Sequence, residues 1–211
     1  YKDWLAKNRD SIDFARENLM SNEKLLVIIA LGEGAFLSDE VLDEVIEEYK
    51  KVKADAYAIW ISNFDEITQS PDILKRFMIF AERLGKENLF NFYGGYFSLL
   101  LSNRDKKIFS GIAQGITVAE HRDPFSIGGF AVPRYYLPRL HLFMSHEDAG
   151  LLSAVQELKC KCPICYRLNS FIDYVNMSIF DTMAHFIFNR AAEAEEIEEK
   201  SIIELINALE E

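Results

Sequence analysis

Continuous apolar runs and helically spaced apolar stripes take turns along the first half of this chain. Lys24 to Leu31 reads KLLVIIAL, a run without polar alternation, and stops at Gly32-Glu33-Gly34. Such a run suits a strand buried on both faces and feeding a loop. Ser38-Asp39-Glu40 then caps a predicted helix to about Val52, with Val41, Leu42, Val45, Ile46 and Tyr49 on its inner face. The unit repeats. Ala56 to Ile61 (AYAIWI) predicts a second strand, and Ser70-Pro71-Asp72 opens a helix with serine as N-cap and proline at the first helical position. Leu89 to Tyr93 predicts a third strand ending at Gly94-Gly95. Helical pieces follow from Tyr96 to about Ala113, broken at Asn103-Arg104-Asp105, and Ile116 to Glu120 (ITVAE) predicts a fourth strand. Upstream, Trp4, Leu5, Ile12, Phe14, Ala15 and Leu19 predict a helix over 1–19.

Strand and helix alternating through short loops imply an α/β fold with a parallel sheet. Four strands of this kind make either half of a (β/α)8 TIM-type barrel or a small doubly wound sheet. In a barrel, functional residues sit just past the C-terminal end of each strand. Those positions here are Gly32-Glu33-Gly34, Ser62 to Glu66, Gly94-Gly95-Tyr96 and Glu120-His121-Arg122-Asp123, a collection of glycines and acidic groups.

After Pro124 the pattern becomes irregular or hairpin-like, with Gly128-Gly129, Pro133 and Pro138, and with Arg134 and Arg139 flanking Tyr135 and Tyr136. Arginine interleaved with tyrosine can pin phosphates and stack on bases, or can cover the edge of a core. Ser145-His146-Glu147-Asp148 caps a further helix. The end of the chain, Glu193 to Glu211, holds eight Glu and one Lys, so it supplies −7 of the formal net charge of −11. Residues 1–192 are therefore only mildly acidic, and the overall charge does not argue against a nucleic-acid partner. Ile197, Ile202, Ile203, Ile206 and Leu209 form a narrow stripe on that acidic segment, which predicts an amphipathic helix docked on the body.

With 211 residues, 49% of them hydrophobic, the chain can bury a sizeable core. Its apolar runs are too short to span a bilayer, and the start Tyr1-Lys2-Asp3-Trp4 does not have the form of a secretory signal. A soluble, cytoplasmic protein with no membrane partner is expected. All three cysteines fall within six residues, Cys160-Lys161-Cys162-Pro163-Ile164-Cys165, and His185 follows. An odd number of cysteines at this spacing fits a reducing compartment and a metal site, not a disulfide framework. C-x-C-x2-C-x19-H supplies three thiolates and an imidazole, the donor set of a closed, structural, tetrahedral Zn²⁺ site. His141 and His146 are alternative fourth ligands, and three reduced thiols sharing a loop are the alternative to a metal.

The same residues resemble a family, the tRNA-guanine transglycosylases with their archaeal and DNA-acting relatives. The family's zinc signature is C-x-C-x2-C followed by a helical histidine, matched here by Cys160, Cys162, Cys165 and His185. Upstream, Ala56-Tyr57-Ala58-Ile59 is similar to the family's GYAI strand, and Ala113-Gln114-Gly115-Ile116 to its nucleophile strand. The resemblance covers Lys24 to the C-terminus and implies the second half of a (β/α)8 barrel, so that 1–144 is an incomplete barrel-like segment and 145–211 a helical zinc-binding subdomain. It also implies exchange of guanine for a 7-deazaguanine base in tRNA or DNA. In that chemistry a carboxylate attacks the sugar C1′, and a covalent glycosyl-enzyme is then released to the incoming base.

The attacking carboxylate falls on Glu120, with Asp123 as a second candidate. Gly32, Trp60, Glu66, Gly94, Gly95, Arg122 and Arg134 fall on substrate-facing positions. The chain departs from the family where Glu120 stands for an aspartate, Trp60-Ile61 for glycines, and Leu31 for a base-reading glutamine. Four strands are half of what a closed barrel needs. The expectation is therefore a part of a longer polypeptide, a chain completed by a partner or a second copy, or a reduced sheet that no longer closes. A rival expectation is a non-catalytic zinc-bearing paralogue that binds nucleic acid or dimerises, with Trp60 closing the former pocket.

Overall fold

The computed structural model describes residues 2–115 and 134–210. They divide into two compact units, the first covering residues 2–113 and the second residues 114–115 and 134–210. In the first unit the elements run α1 (Lys2–Asn18), β1 (Leu26–Gly32), α2 (Asp39–Lys51), β2 (Ala56–Ser62), α3 (Pro71–Leu84), β3 (Leu89–Phe92), α4 (Tyr96–Leu101) and β4 (Gly111–Ala113). The four strands form one parallel sheet in chain order, β1-β2-β3-β4, with Ile28 beside Ala58, Ala58 beside Phe90 and Phe90 beside Gly111. This is an α/β architecture of parallel strands alternating with helices.

Local chemistry sets the helix ends. The Ser38 hydroxyl accepts from the Val41 N–H (3.4 Å) to start α2, and Ser70 does the same for Ile73 at the head of α3, where Pro71 has no N–H to satisfy. Helix α3 stops at Gly85, whose φ of 56° is left-handed and free of strain only for glycine. The pleat then sorts the strands. Val27 and Ile29 of β1, Tyr57, Ile59 and Ile61 of β2, and Leu89 of β3 share a buried cluster with Leu42, Val45 and Ile46 of α2 and Phe77, Phe80 and Leu84 of α3. Residues of opposite parity on β1, Leu26 and Ile28, are 46% and 41% exposed. Helix α1 is joined to this body through Ile12, a hydrogen bond between Asn8 and Tyr49, and one from Arg16 to the Lys53 carbonyl (2.7 Å).

One prediction for this unit needs correction. The helix beginning at Tyr96 ends at Leu101 and does not reach Ala113, and Gly111–Ala113 is a strand beside β3. The Asn103 side chain accepts from the Asp105 N–H (2.9 Å), its carbonyl from Lys106 and Lys107, and Lys107 takes a φ of 48°. These bonds offer the backbone a turn in place of a further helical turn. The strand expected at Ile116 to Glu120 lies outside the described residues.

In the second unit, β5 (Tyr135–Leu137) and β6 (Leu142–Met144) form an antiparallel hairpin whose turn includes His141 at φ 51°. It is followed by α5 (His146–Leu152), α6 (Phe171–Val175), α7 (Ile179–Glu199) and α8 (Ile202–Glu210). Ser145, Ser170 and Ser178 cap α5, α6 and α7, and Ser170 with Asp173 makes a reciprocal capping box. Helices α5 and α6 meet at Gly150, where a Cβ would stand 2.8 Å from the Phe171 ring. The hairpin, read from sequence as part of a barrel-like segment 1–144, packs instead with this unit: Tyr135 and Leu137 share a cluster with Cys160, Cys165, Tyr174 and Met177. The acidic C-terminal segment is two helices broken at Lys200-Ser201. Ile197 and Leu205 are its buried apolar residues among those described, while Ile203 and Ile206 of the predicted stripe are exposed. No helix among the described residues is long and apolar enough to cross a membrane.

Candidate metal centre

The loop between α5 and α6 is short of regular structure because its main chain is folded around sulfur. The Cys162 N–H points at Cys160 Sγ (3.4 Å) and the Cys165 N–H at Cys162 Sγ (3.4 Å). The Tyr166 N–H bonds the Cys162 carbonyl (3.0 Å) and the Leu168 N–H the Cys165 carbonyl (3.0 Å), closing a tight turn through Pro163 and Ile164. Cys160 and Cys165 are buried and Cys162 half-buried. Helix α7 brings His185, which is fully buried, to the same place.

Three thiols and an imidazole nitrogen converge there, with all four ligand atoms within 4.8 Å of one another. His185 Nδ1 lies 3.3 Å from Cys162 Sγ and 3.3 Å from Cys165 Sγ. Ligand atoms around a tetrahedral zinc with ordinary Zn–S and Zn–N bonds lie roughly 3.5–3.8 Å apart, so one ion fits between these four donors. His141 and His146 are turned elsewhere: His141 Nδ1 faces Glu193 (3.0 Å), and His146 Nε2 meets the Thr182 hydroxyl (3.1 Å). The fourth donor of the cluster is therefore His185.

The groups around the cluster orient it. His185 Nε2 lies 2.6 Å from the Tyr136 carbonyl oxygen, which can only accept, so Nε2 carries a proton and Nδ1 is the nitrogen turned to the sulfurs, free to give its lone pair to a metal in place of a proton. The Tyr135 ring stacks on the imidazole at 4.3 Å and 17°, and its hydroxyl is 3.2 Å from Cys165 Sγ. The Asn189 side chain accepts from Cys160 Sγ (3.3 Å) and donates to the His185 carbonyl (2.7 Å). A buried donor set with its second nitrogen and its sulfurs already hydrogen-bonded is arranged to receive a cation.

The electrostatics of the protein groups agree. Hydrogen bonds from Cys160 and Cys165 hold the Cys162 thiol far below its usual range, while bonding to Cys160 and Cys162 pushes Cys165 far up. Burial works to lower His185, but its bonds to Cys160, Cys162 and the Tyr136 carbonyl outweigh that and raise it to about 9. Burial, reinforced by the thiols, raises Tyr174 to about 12. Thiols and an imidazole this strongly coupled through shared protons are groups that a divalent metal, by displacing those protons, would bind together.

The residues assigned to a substrate site divide differently. Glu66 and Gly94 belong to one buried knot at the C-terminal ends of β2 and β3. Glu66 Oε2 accepts from the Ser98 N–H (3.0 Å) at the start of α4, Oε1 accepts from the Ser98 hydroxyl, and Asn91 Nδ2 bonds Ser98 Oγ (2.7 Å) and approaches Glu66 Oε1 (3.5 Å). A Cβ on Gly94 would stand 2.9 Å from Asn91 Nδ2 and from Ser98 Cβ, so only glycine fits. Gly95 is the N-cap of α4, and Gly32 ends β1 with open space around its Cα. Trp60 is half-buried on β2 beside Tyr93 (6.4 Å), and its indole N–H has no hydrogen-bond partner among the described residues.

Arg134 is exposed just before β5, and Glu120, Arg122 and Asp123 lie outside the described residues. Tyr135 and Tyr136 are buried, which rules them out as exposed stacking platforms. Asn91, Ser98 and Glu193 were not among the residues singled out from the sequence, and Tyr136 was, but as a base-stacking or core-edge residue. Glu193 lies eight residues beyond His185 on one helix, a spacing that puts both near one face, and this was the available signal.

No protein-family model, curated protein sequence or solved structure matches this chain.

Proposed function

We propose that this chain is a zinc-stapled α/β domain of the tRNA-guanine transglycosylase kind, which exchanges guanine for a 7-deazaguanine base in tRNA or DNA. The observation that carries the reading is the convergence of Cys160, Cys162, Cys165 and His185 on one point. It is supported by parallel strands in chain order, the order a (β/α)8 barrel requires, with Gly32, Glu66, Gly94 and Gly95 at or just past their C-terminal ends. The exposed Leu26 and Ile28 suit the inward side of a barrel that further strands complete, from the same polypeptide or a partner.

Zinc is the metal the donor set favours, three thiolates and an imidazole being a soft, tetrahedral shell. Four protein donors would complete a tetrahedral shell, so a bound ion would tie the loop to α7 and leave no position for water. In the base exchange Glu120, with Asp123 as the alternative, attacks C1′ as the C1′–N9 bond breaks and guanine leaves; the incoming deazapurine then displaces the carboxylate from C1′. Trp60, half-buried on β2, offers the exposed part of its ring as a surface for the base. Glu66 holds the N-terminus of α4 through Ser98, so its part is to shape the floor of the site. That internal bonding, with Trp60 where the family has glycine, also favours a second reading, a non-catalytic zinc-bearing subunit of the same architecture.

Native mass spectrometry with and without a chelator should show one zinc per chain, lost on chelation together with the order of residues 134–210. A chain that folds and carries no metal would remove the basis of both readings. Labelled-guanine exchange into tRNA and DNA by the completed assembly then separates them. Abolition of exchange by Glu120→Gln, with nucleic-acid binding intact, supports the first; exchange absent from the unaltered assembly leaves the second.

A further inference from the structure

Glu193 is 6% exposed, though it sits in the most acidic stretch of the chain. A buried carboxylate is costly unless every oxygen is met, and here the partners come from two elements. Oε1 accepts from the Tyr136 hydroxyl (2.7 Å) and faces His141 Nδ1 (3.0 Å), both on the hairpin, and Oε2 pairs with Arg190 Nη1 (2.9 Å), one turn back on α7. The Arg190 guanidinium also lies over the Tyr136 ring (5.1 Å) and the Phe186 ring (5.3 Å).

Tyr136 links this network to the metal cluster. Its carbonyl oxygen is the acceptor that fixes the His185 imidazole, and its hydroxyl is the group that Glu193 holds. The residue is thus pinned to α7 at two heights, and the neighbouring Tyr135, which stacks on His185 and reaches Cys165 Sγ, moves with it. Sliding or tilting β5 would shift both the hydrogen bond that sets the histidine tautomer and the ring that sets its plane. Glu193 and the Tyr136 hydroxyl are what resist that shift.

We propose that Glu193 is a positioning residue for the metal centre, acting through Tyr136 on His185 and touching no ligand itself. The proposal rests on the metal reading above and adds to it a determinant two helical turns from the nearest donor. Groups that hydrogen-bond a metal ligand directly are worth about 10–100-fold in affinity, and a group acting through one of them should reach the lower end of that range.

The test is Co²⁺ titration of the whole chain followed by Zn²⁺ competition, reading affinity and the cobalt d–d absorption envelope, which reports ligand geometry. Glu193→Ala and Tyr136→Phe should each weaken Co²⁺ binding about 10-fold and alter the envelope. Glu193→Gln, which keeps an oxygen for the Tyr136 hydroxyl, should recover most of both. Ile197→Ala, which truncates a buried side chain one turn further along α7, controls for loss of stability alone and should leave the envelope unchanged. The proposal is overturned if Glu193→Ala and Tyr136→Phe give the unaltered envelope with affinity no weaker than Ile197→Ala. Absence of Co²⁺ and Zn²⁺ binding by the unaltered chain overturns the metal reading itself, and the proposal with it.

Discussion

Replacing Glu66 by alanine should destabilise the first unit by roughly 3 kcal/mol, because it leaves buried donors without an acceptor. The carboxylate is 4% exposed and serves the Ser98 N–H, the Ser98 hydroxyl and the Asn91 amide. An orphaned buried donor costs about 1–3 kcal/mol. The hydroxyl can rotate, and Asn91 keeps its 2.7 Å bond to Ser98 Oγ, so the lasting losses are the main-chain N–H and the packing of the removed side chain. Urea unfolding followed by circular dichroism measures the loss. In thermal unfolding it should appear as a drop of roughly 6–12 °C, at the 2–4 °C per kcal/mol usual for chains of this size. Glu66→Gln keeps one oxygen acceptor but turns an NH2 toward a donor, and should fall between the two. An alanine variant within about 0.5 kcal/mol of the unaltered chain would refute the reasoning, since surface-like tolerance is incompatible with a buried knot.

Gly94→Ala should cost about 1–3 kcal/mol in the same unfolding assay, because its Cβ has to displace Asn91 and Ser98 side-chain atoms at 2.9 Å and Ile112 Cγ2 at 3.2 Å. Stability should also fall in alkali. Burial raises Tyr49 from 10.0 to about 12, opposed by its hydrogen bond from Asn8, so its stabilising effect is complete below pH about 10 and lost as the pH rises through about 12. Denaturation midpoints between those values should decline, and Tyr49→Phe should flatten the decline.

The local features of the fold were legible because their causes are local. Ser38, Ser70 and Pro71 fix helix starts through bonds to residues three positions away or through a missing N–H, and the Cys-x-Cys-x2-Cys spacing fixes a sulfur-centred turn. His185 was readable as a ligand only alongside His141 and His146, because their partners, Glu193 and Thr182, are set by tertiary contacts 52 and 36 residues away. β4 escaped notice because three residues, Gly111-Ile112-Ala113, are too few to show a period. Tyr135 and Tyr136, next to arginine, read equally well as a nucleic-acid surface. Both are buried because adjacent strand residues face opposite sides, and here one side is the thiol cluster and the other α7. Glu193 read as part of a solvated acidic face for the same reason: its hydroxyl partner is 57 residues away.

The donors of the cluster are unevenly spread along the chain, three on one turn and the fourth 20 residues beyond Cys165. Joining the turn to α7 through an ion closes a loop of that length, whose length-dependent entropy cost is about 2.7 kcal/mol by the logarithmic law. The turn is held by its own N–H···S bonds within six residues, whereas the imidazole arrives on a separate helix packed on the hairpin. The cluster therefore joins a local contact at the sulfurs to a long-range one at the histidine. A bound metal would act as a latch on the long-range contact, setting how slowly the 134–210 region opens once it has closed.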